Sequence, residues 1–256
     1  MRNLCVIPVR MGSSRFPGKP LKKLLGLELV WHIYERCRLA RSLDRIIITT
    51  CDEEIRDVCA ARGAEVVMTR KDHPGAVDRT AEAAGLVGDE LADYGLVLMV
   101  QGDEVLVAPD MIDPIVKAFE SRNVSVVNLV SPIEDTAEHD SPSVVKVAFA
   151  PDGRALFFSR ASIPSRTRVE QPALWQQTGV IGFQKSFLET FLRLPQTPLE
   201  QTEGIDMLRT IEHGYDIQIV KSPRVTIGVD TPEELVRAEN ILIDDPHTSR
   251  YLGSIS

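Results

Sequence analysis

A basic loop near the N-terminus carries the residue types that could hold a polyphosphate. The residues concerned are Arg10, Gly12, Ser13, Ser14, Arg15, Gly18 and Lys19. Glycines let a backbone close around an anion, while guanidinium, ammonium, hydroxyl and backbone N–H groups donate hydrogen bonds to it. The loop follows an apolar run, residues 4–9, which predicts a buried strand with the loop at its carboxyl end, where open α/β sheets bind ligands. The alternative interpretation is a solvated basic turn.

The loop matches neither of the common nucleotide fingerprints. Five residues separate Gly12 from Gly18, and Pro20 follows Lys19, so the spacing is not that of a Walker A loop. No GxGxxG fingerprint occurs in it, which argues against a dehydrogenase of the NAD-binding type.

Two carboxylates could complete a phosphate site. Asp103 comes just after the continuously apolar residues 96–100, and Asp230 follows residues 224–229, which are predicted to form a last strand. Mg²⁺ beside a nucleotide usually takes one or two carboxylates plus phosphate oxygens, so the pair could share this cation. Each Asp also has a structural alternative as a turn former or as a helix-start carboxylate, because Thr231 and Pro232 are helix-start signals.

The remaining pattern describes the elements that must position these residues. Alternating apolar runs and helical patterns predict a parallel sheet with crossover helices. The predicted strands cover residues 4–9, 45–50, 65–69, 96–100 and 124–130, and the predicted helices cover 28–40, 53–62, 77–91 and 110–121.

The middle of the chain changes character. Residues 144–149 and 154–158, joined by a turn at 151–153, predict an antiparallel hairpin. Residues 163–172 predict a loop, 178–183 a strand, 202–213 a helix ended by Gly214, and 217–220 a strand.

Composition limits the partners. The chain has 256 residues, 43% of them hydrophobic, and a formal charge of −8, so we expect one domain that does not bind nucleic acid. Its four cysteines show no metal-ligand spacing and are expected to be buried thiols in a reducing compartment. With neither a signal-peptide pattern nor a run of about 18 apolar residues, we expect a soluble, cytoplasmic protein without a membrane partner.

The basic loop and both carboxylates belong to a longer series of motifs. The series comprises residues 9–21, 69–73, 101–104, 143–147, 158–160, 163–164, 199–201 and 228–233. It resembles the CMP-sugar-acid synthetases, most closely their 3-deoxy-manno-octulosonate cytidylyltransferase (CMP-Kdo synthetase) family, over nearly the whole chain and in matching order.

The resemblance implies an α/β fold of the Rossmann-like nucleotidyltransferase type. In such a fold a mostly parallel central sheet carries an inserted antiparallel hairpin region used for dimerisation. It implies a single nucleotidyltransferase domain over residues 1–256, with a dimerisation and sugar-binding subregion at about 131–200, and a homodimer. The implied reaction uses Mg²⁺, CTP and a 3-deoxy ulosonic acid to form a CMP-sugar and pyrophosphate.

The same resemblance assigns roles by position. The implied catalytic residues are Arg10, Lys19, Asp103 and Asp230, with Asp103 and Asp230 binding the metal. The implied nucleotide-binding residues are Arg10, Ser13, Ser14, Arg15, Lys19, Arg70, Gly75, Arg79 and Gln101. The implied sugar-acid-binding residues are Arg160, Gln177 and Asp206.

The departures from the family pattern concern substrate choice. Residues 74–77 lack two hydroxyl side chains that the family usually has, and Gln177, Ile181 and Met207 stand where it has His, Tyr and Gln. These exchanges predict a more apolar acceptor pocket, since they remove hydrogen bonds to sugar hydroxyls. The acceptor could then be a different acid, such as an amino or deoxy sugar acid or a phosphonate.

Two classes of function stay open. One is a metal-dependent cytidylyltransferase, and the other is a nucleotide-binding relative without catalysis. The presence of Lys19, Asp103 and Asp230 together favours the enzyme, because phosphoryl transfer depends on positioning and on neutralising charge.

Overall fold

A mixed β-sheet forms the centre of the protein. The computed structural model describes residues 2–12, 15–87, 94–121, 124–169 and 172–253. Its strands are β1 Arg2–Pro8, β2 Lys23–Leu24, β3 Leu27–Glu28, β4 Arg45–Thr50, β5 Glu65–Met68, β6 Tyr94–Val100, β7 Val126–Pro132, β8 Lys146–Phe149, β9 Ala155–Ser159, β10 Trp175–Gln184 and β11 Ile217–Lys221. Its helices are α1 Leu29–Arg38, α2 Glu53–Ala61, α3 Ala76–Leu86, α4 Pro109–Ser121, α5 Thr136–Asp140, α6 Lys185–Phe191, α7 Pro198–Glu203, α8 Met207–Glu212, α9 Pro232–Asp244 and α10 Ser249–Leu252, besides a 3₁₀ turn at Lys19–Leu21.

The strand order confirms a mostly parallel sheet with an antiparallel insertion. The order is β11-β7-β10-β6-β1-β4-β5, and β1 runs parallel to both β4 and β6. Strand β10 runs antiparallel between β6 and β7. The predicted hairpin is also confirmed, because β8 and β9 pair antiparallel and β8 joins the sheet through β10.

Burial on both faces explains the continuous apolar runs. Alternate side chains of a strand point to opposite faces, so Cys5 and Ile7 of β1 enter one core cluster while Leu4 and Val6 enter the other. All four are fully buried. A strand covered in this way needs apolar residues at every position, and its functional groups must therefore lie at its ends.

Two predicted elements are wrong. The helix over 202–213 is two short helices, α7 and α8, because Gly204 ends α7 in the left-handed conformation at φ 64°. Residues 224–229 form no strand. Two of their N–H groups donate hydrogen bonds to groups outside any strand ladder. Thr226 donates to Oγ of Ser131 at 2.9 Å, and Val229 donates to the carbonyl of Asp103 at 3.1 Å.

The predicted helix start at Thr231 and Pro232 is confirmed. Helix α9 begins with the predicted Thr231 cap and Pro232, and Thr231 and Glu234 form a reciprocal capping box. Helix α3 begins at Ala76, and the end of its predicted range at 91 lies outside the described residues. Within the described ranges, no helix is both long and apolar enough to cross a membrane.

Candidate active site

Three loops meet beside the carboxyl ends of β1 and β6. The ammonium of Lys19, in the loop after β1, lies 3.3 Å from Oδ2 of Asp103 and 2.9 Å from Oδ1 of Asp230. Asp103 follows β6, and Asp230 precedes α9. The guanidinium of Arg15 adds a second cation, at 2.7 Å from Oδ2 of Asp230. The structure therefore brings the basic loop and both predicted metal carboxylates into one cluster.

In this cluster, burial and the neighbouring charges have opposing effects on the pKa values of Lys19 and Asp103. Burial opposes the charge on Lys19, but Asp103 and Asp230 outweigh burial and raise the pKa of the ammonium. Burial raises the pKa of Asp103, Lys19 opposes this rise, and the charge of Asp230 adds to it. Two carboxylates thus share one buried cation, and a further positive charge beside them would be stabilised.

The donor chemistry of this pair suits a hard divalent cation. Among the described residues no group of three or more His, Cys, Asp or Glu is placed to hold a metal. A cation at Asp103 and Asp230 would therefore have two carboxylates from the chain and would take its other ligands from a phosphate or from water, which is how Mg²⁺ binds beside nucleotides.

Glu104, next to Asp103, connects this cluster to strand β10 through a hydrogen bond. Its carboxyl is buried, and its Oε1 accepts a hydrogen bond from the backbone N–H of Gly179 at 2.5 Å. Burial, with the charge of Asp103 added, raises the pKa of Glu104 to about 8. Gly179 must lack a side chain, because a Cβ there would lie 2.6 Å from the Cβ of Gln101. This close approach sets Gln101 at the edge of the site.

Two cavities meet at the cluster. One, of about 720 Å³, extends toward β10, α7 and α8, and the other, of about 440 Å³, extends over the basic loop and the start of α3. Residues common to both linings are Arg15, Pro74, Gly75, Ala76, Gln101, Asp103 and Asp230. We term the larger the acceptor cavity and the smaller the loop cavity. Groups bound in the two cavities would face each other across Asp103 and Asp230.

Comparison with known proteins shows which family has this arrangement of residues. The family model described as "Cytidylyltransferase" matches residues 4–219, most of the chain. The chain belongs to the cytidylyltransferase family. A relative named 3-deoxy-manno-octulosonate cytidylyltransferase, from Syntrophobacter fumaroxidans, is 43% identical over 96% of this chain and 98% of the relative. One from Shewanella amazonensis, named 8-amino-3,8-dideoxy-manno-octulosonate cytidylyltransferase, is 40% identical over 93% of this chain and 97% of that relative.

A solved structure agrees with this assignment. It is that of a CMP:2-keto-3-deoxy-manno-octonic acid synthetase complexed with CTP, which has a TM-score of 0.87 and 29% identity. The match covers 95% of this chain and 99% of the synthetase. The resemblance inferred from the motifs and the expected nucleotidyltransferase fold are both confirmed.

Most predicted binding residues of this cytidylyltransferase lie in the two cavities. The loop cavity is lined by Arg10, Arg15, Lys19, Gly75, Arg79, Gln101, Asp103 and Asp230, among others. The acceptor cavity is lined by Arg160, Gln177 and Asp206, among others. Arg70 lines neither cavity; its side chain is 68% exposed and pairs with Glu82 at 3.4 Å. Ser13 and Ser14 lie outside the described residues.

The placing of Ile181 and Met207 in the acceptor pocket is wrong. Ile181 and Met207 do not line the acceptor cavity; they are buried in the core beneath it, at 1% and 0% exposure. The pairing of β10 with β7 shifts its register between Gln177 and Ile181, so the spacing of the family pattern did not place Ile181 in the pocket. The lining instead includes the charged side chains of Asp78, Glu200 and Arg209, which sequence reasoning did not select.

Lys146 is a further residue that the motifs contained but did not explain. Its side chain is fully buried, and its Nζ donates to the carbonyls of Ser141, Val144 and Arg160 at 2.8, 2.7 and 2.6 Å. Arg160 is also held by Glu203, whose carbonyl accepts from Nε at 2.7 Å. An inward-facing lysine in an otherwise apolar strand is the signal that could have identified this support.

Proposed function

We propose that this protein transfers CMP from CTP to a 3-deoxy ulosonic acid and releases pyrophosphate, with Mg²⁺ as its cofactor. The observation that carries the proposal is the Lys19 ammonium between Asp103 and Asp230, at the junction of the two cavities. The relatives' names support the reaction and the class of acceptor, and the CTP complex of the structural neighbour supports the nucleotide.

The basic loop would bind the triphosphate. Arg10 is exposed in the loop cavity, and within the described chain no hydrogen bond or ion pair engages its side chain. Arg15 and Lys19 bring two further cations to the same cavity. Cations set at the phosphates stabilise the charge that develops on the departing pyrophosphate, which is the main contribution a protein makes to phosphoryl transfer.

Asp103 and Asp230 would hold Mg²⁺. When bound, the ion would neutralise phosphate charge and lower the pKa of a hydroxyl that contacts it. Lys19 supplies a fixed positive charge at the same two carboxylates, so it orients both of them before substrates arrive. This preorganisation reduces the rearrangement that catalysis requires.

The chemistry needs positioning more than it needs a nucleophile from the protein. An anomeric hydroxyl of the acceptor attacks the α-phosphorus of CTP, a new P–O bond forms, the bond to pyrophosphate breaks, and the proton of the hydroxyl passes to solvent. The junction at Gln101 and Asp103, where the cavities meet, is where the two reacting groups would be held in line.

Arg160 would bind the carboxylate of the acceptor. Its Nε and Nη1 donate to the carbonyls of Glu203 and Pro142, which orients the guanidinium plane. Within the described chain its Nη2 has no hydrogen-bond partner, and this group lines the acceptor cavity. A guanidinium nitrogen that still has hydrogens to donate in the cavity suits a carboxylate. Gln177, whose Nε2 donates to Asn128 at 2.8 Å, and Asp206 would contact the remainder of the acid.

The test is pyrophosphate release with CTP, Mg²⁺ and 3-deoxy-manno-octulosonate, compared with reactions lacking the acid or the metal. Asp103→Asn and Asp230→Asn should each abolish release, whereas Asp57→Asn, an exposed carboxylate on α2 outside both cavities, should not. Release that occurs without any acid acceptor, or that survives both active-site substitutions, would contradict the proposal.

We also propose a cytoplasmic homodimer built through the subregion at about 131–200 of a single domain over residues 1–256. The support is apolar surface in that subregion, where Leu156, Leu192 and Leu199 are 49%, 48% and 39% exposed. Four free cysteines suit a reducing compartment. Sedimentation velocity should show a dimer, and Leu156→Glu should shift it toward monomer; a wild-type monomer would contradict the dimer.

A further inference from the structure

Glu82 of α3 holds the loop between β5 and α3 at three points. Its Oε2 accepts hydrogen bonds from the backbone N–H of Arg70, at 3.1 Å, and from Nε2 of His73. Its Oε1 lies 3.4 Å from Nε of Arg70. Burial opposes the ionised form of Glu82, but the hydrogen bonds from His73 and Arg70 outweigh burial and lower the pKa of the carboxyl. One ionised side chain that lines neither cavity therefore fixes the loop to the helix.

His73 lines the loop cavity with one ring nitrogen unengaged. Its side chain is only 4% exposed. An ionised carboxylate can only accept, so in the neutral imidazole the proton lies on Nε2, and Nδ1 is left as a hydrogen-bond acceptor. Within the described chain Nδ1 has no hydrogen-bond partner, and the atom is not fully enclosed. Glu82 thus fixes which kind of group His73 presents.

Arg79, three residues before Glu82 on α3, brings hydrogen-bond donors to the same cavity. The residue is 4% exposed, and its Nη1 donates to Oγ1 of Thr69 at 2.7 Å and to the carbonyl of Arg70 at 3.1 Å. Across the part of the chain that the structure describes, its Nε and Nη2 have no hydrogen-bond partner, and neither atom is fully enclosed. The cavity wall therefore offers an acceptor from His73 and donors from Arg79.

Two segments of different chemistry line the loop cavity. The cations of the basic loop suit the triphosphate, which leaves the segment from His73 to Arg79 for the nucleoside. Cytosine carries a donor in its 4-amino group and acceptors at N3 and O2, whereas uracil carries an acceptor at O4 and a donor at N3. An acceptor from His73 and donors from Arg79 therefore match both kinds of group on cytosine.

We propose that Nδ1 of His73 accepts a hydrogen bond from the 4-amino group of cytosine, and that Glu82 positions His73 for this contact, so that the pair selects CTP over UTP. The inference rests on the proposed function, because it concerns the nucleotide of that reaction. Uracil would place its O4 against Nδ1, and two acceptors that face each other both lack a donor. His73 touches the base, whereas Glu82 acts only through His73 and is a positioning residue.

The test measures kcat/KM for CTP and for UTP, with Mg²⁺ and 3-deoxy-manno-octulosonate, at about pH 8, where an ordinary imidazole is neutral. His73→Phe keeps a ring but removes the acceptor, and it should lower the ratio of kcat/KM for CTP to that for UTP about tenfold. The change should lie in KM for CTP and leave kcat nearly unchanged, because the base is held alike in the ground state and in the transition state.

Glu82→Leu and Glu82→Gln separate positioning from a general loss of structure. Glu82→Leu removes the acceptor for Nε2 of His73 and should lower the ratio about as far as His73→Phe. Glu82→Gln keeps one amide oxygen for Nε2 and for the Arg70 N–H, so it should stay within about threefold of wild type. Asp72→Asn is the matched control, because Asp72 is an exposed carboxylate of the same loop that lines neither cavity, and its ratio should equal that of wild type.

Nitrogen NMR of the wild-type protein with isotope-labelled histidine tests the same contact without a substitution. Nε2 of His73 should carry the ring proton, and CTP should shift the Nδ1 resonance more than UTP does. A ratio that His73→Phe or Glu82→Leu leaves unchanged, a Glu82→Gln variant as impaired as Glu82→Leu, or a proton on Nδ1 alone overturns the inference while pyrophosphate release from CTP continues. Absence of release from CTP in the wild type would instead overturn the proposed function itself.

Discussion

Lys19 and Asp230 stand 211 positions apart in the chain, and the ammonium of Lys19 lies 2.9 Å from Oδ1 of Asp230. The same ammonium lies 3.3 Å from Oδ2 of Asp103. One largely buried cation therefore joins three segments of the cytidylyltransferase at the meeting point of its two cavities. It is the structural feature on which the catalytic proposal depends.

Lys19→Met should lower kcat for pyrophosphate release by about 10²–10³, the usual cost of removing one group that stabilises a transition state. Without the ammonium, Asp103 and Asp230 repel each other and lose their common orientation. Lys22→Met is the matched control, because Lys22 is an exposed lysine of the same segment that lines neither cavity. Steady-state kinetics at saturating CTP checks this, and a loss below about threefold for Lys19→Met would contradict the assigned role.

Thr231→Ala should lower the free energy of unfolding by about 1 kcal/mol, because it removes a helix cap. Thr231 Oγ1 accepts from the N–H of Glu234 at 3.2 Å, and Oε2 of Glu234 accepts from the N–H of Asp230 at 2.7 Å. Pyrophosphate release should fall as well, since the capping box positions Asp230. Urea denaturation and kinetics measured together test both effects.

Thr231→Ser provides the comparison for this cap. It keeps the hydroxyl and should therefore retain both stability and activity. Equal losses in the serine and alanine variants would show that the hydrogen bond is not the cause.

The unfolding free energy should depend on pH through Glu104. Burial, with the charge of Asp103 added, raises its pKa in the folded protein from 4.5 to about 8, while Gly179 and Lys19 oppose the rise and Asp230 adds to it. Because its pKa is raised on folding, Glu104 contributes fully to the stability of the folded protein below about pH 4.5. This contribution is lost as the pH rises through about 8.

Glu104→Gln should remove this part of the pH dependence. The amide oxygen can still accept the Gly179 N–H, and an amide carries no charge to bury. Relative to wild type, the variant should therefore gain stability as the pH rises from 4.5 to 8. Denaturation at several pH values checks this, and parallel curves for the two proteins would contradict it.

Lys146→Met should raise KM for the acceptor about tenfold, which corresponds to roughly 1.4 kcal/mol of lost positioning. The buried ammonium holds the carbonyl of Arg160 together with those of Ser141 and Val144, all in the acceptor cavity wall. The KM for CTP should stay unchanged, because Lys146 lies outside the loop cavity. Lys117→Met, on α4, is the surface control. Equal changes in both KM values would indicate a general loss of structure instead.

Much of the fold followed from local pattern. Residues 45–50 were predicted as a strand and form β4 with the same bounds, because an apolar run between polar turns is a local signal. The two failures had different causes, one local and one that depends on residues distant in sequence. Gly204 lies within the predicted helix and ends α7. Residues 224–229 look like a strand, but Thr226 and Val229 donate their N–H groups to Ser131 and Asp103 instead of to a neighbouring strand.

Some of the candidate binding residues could be recognised from the sequence, and others only from the structure. Lys19, Asp103 and Arg160 belong to recognisable motifs, and each lies in a cavity. Asp78 lies outside these motifs and carried no comparable signal, because it is one carboxylate among many in an acidic chain. Glu200 lies in the motif at 199–201, but no role was assigned to it. Ile181 was assigned to the pocket from its place in the family pattern, but it is buried in the core, and the pairing of β10 with β7 shifts its register between Gln177 and Ile181.

The sequence by itself determined the α/β class, the order of most elements and the chemical types present in the basic loop and after β6. Those features depend on residue type and spacing within about one element, which a linear pattern records. Only the tertiary structure decided that Asp103 and Asp230 share the charge of Lys19. The physical reason is range: hydrogen bonds and ion pairs act over about 3–4 Å, and folding alone brings distant segments that close.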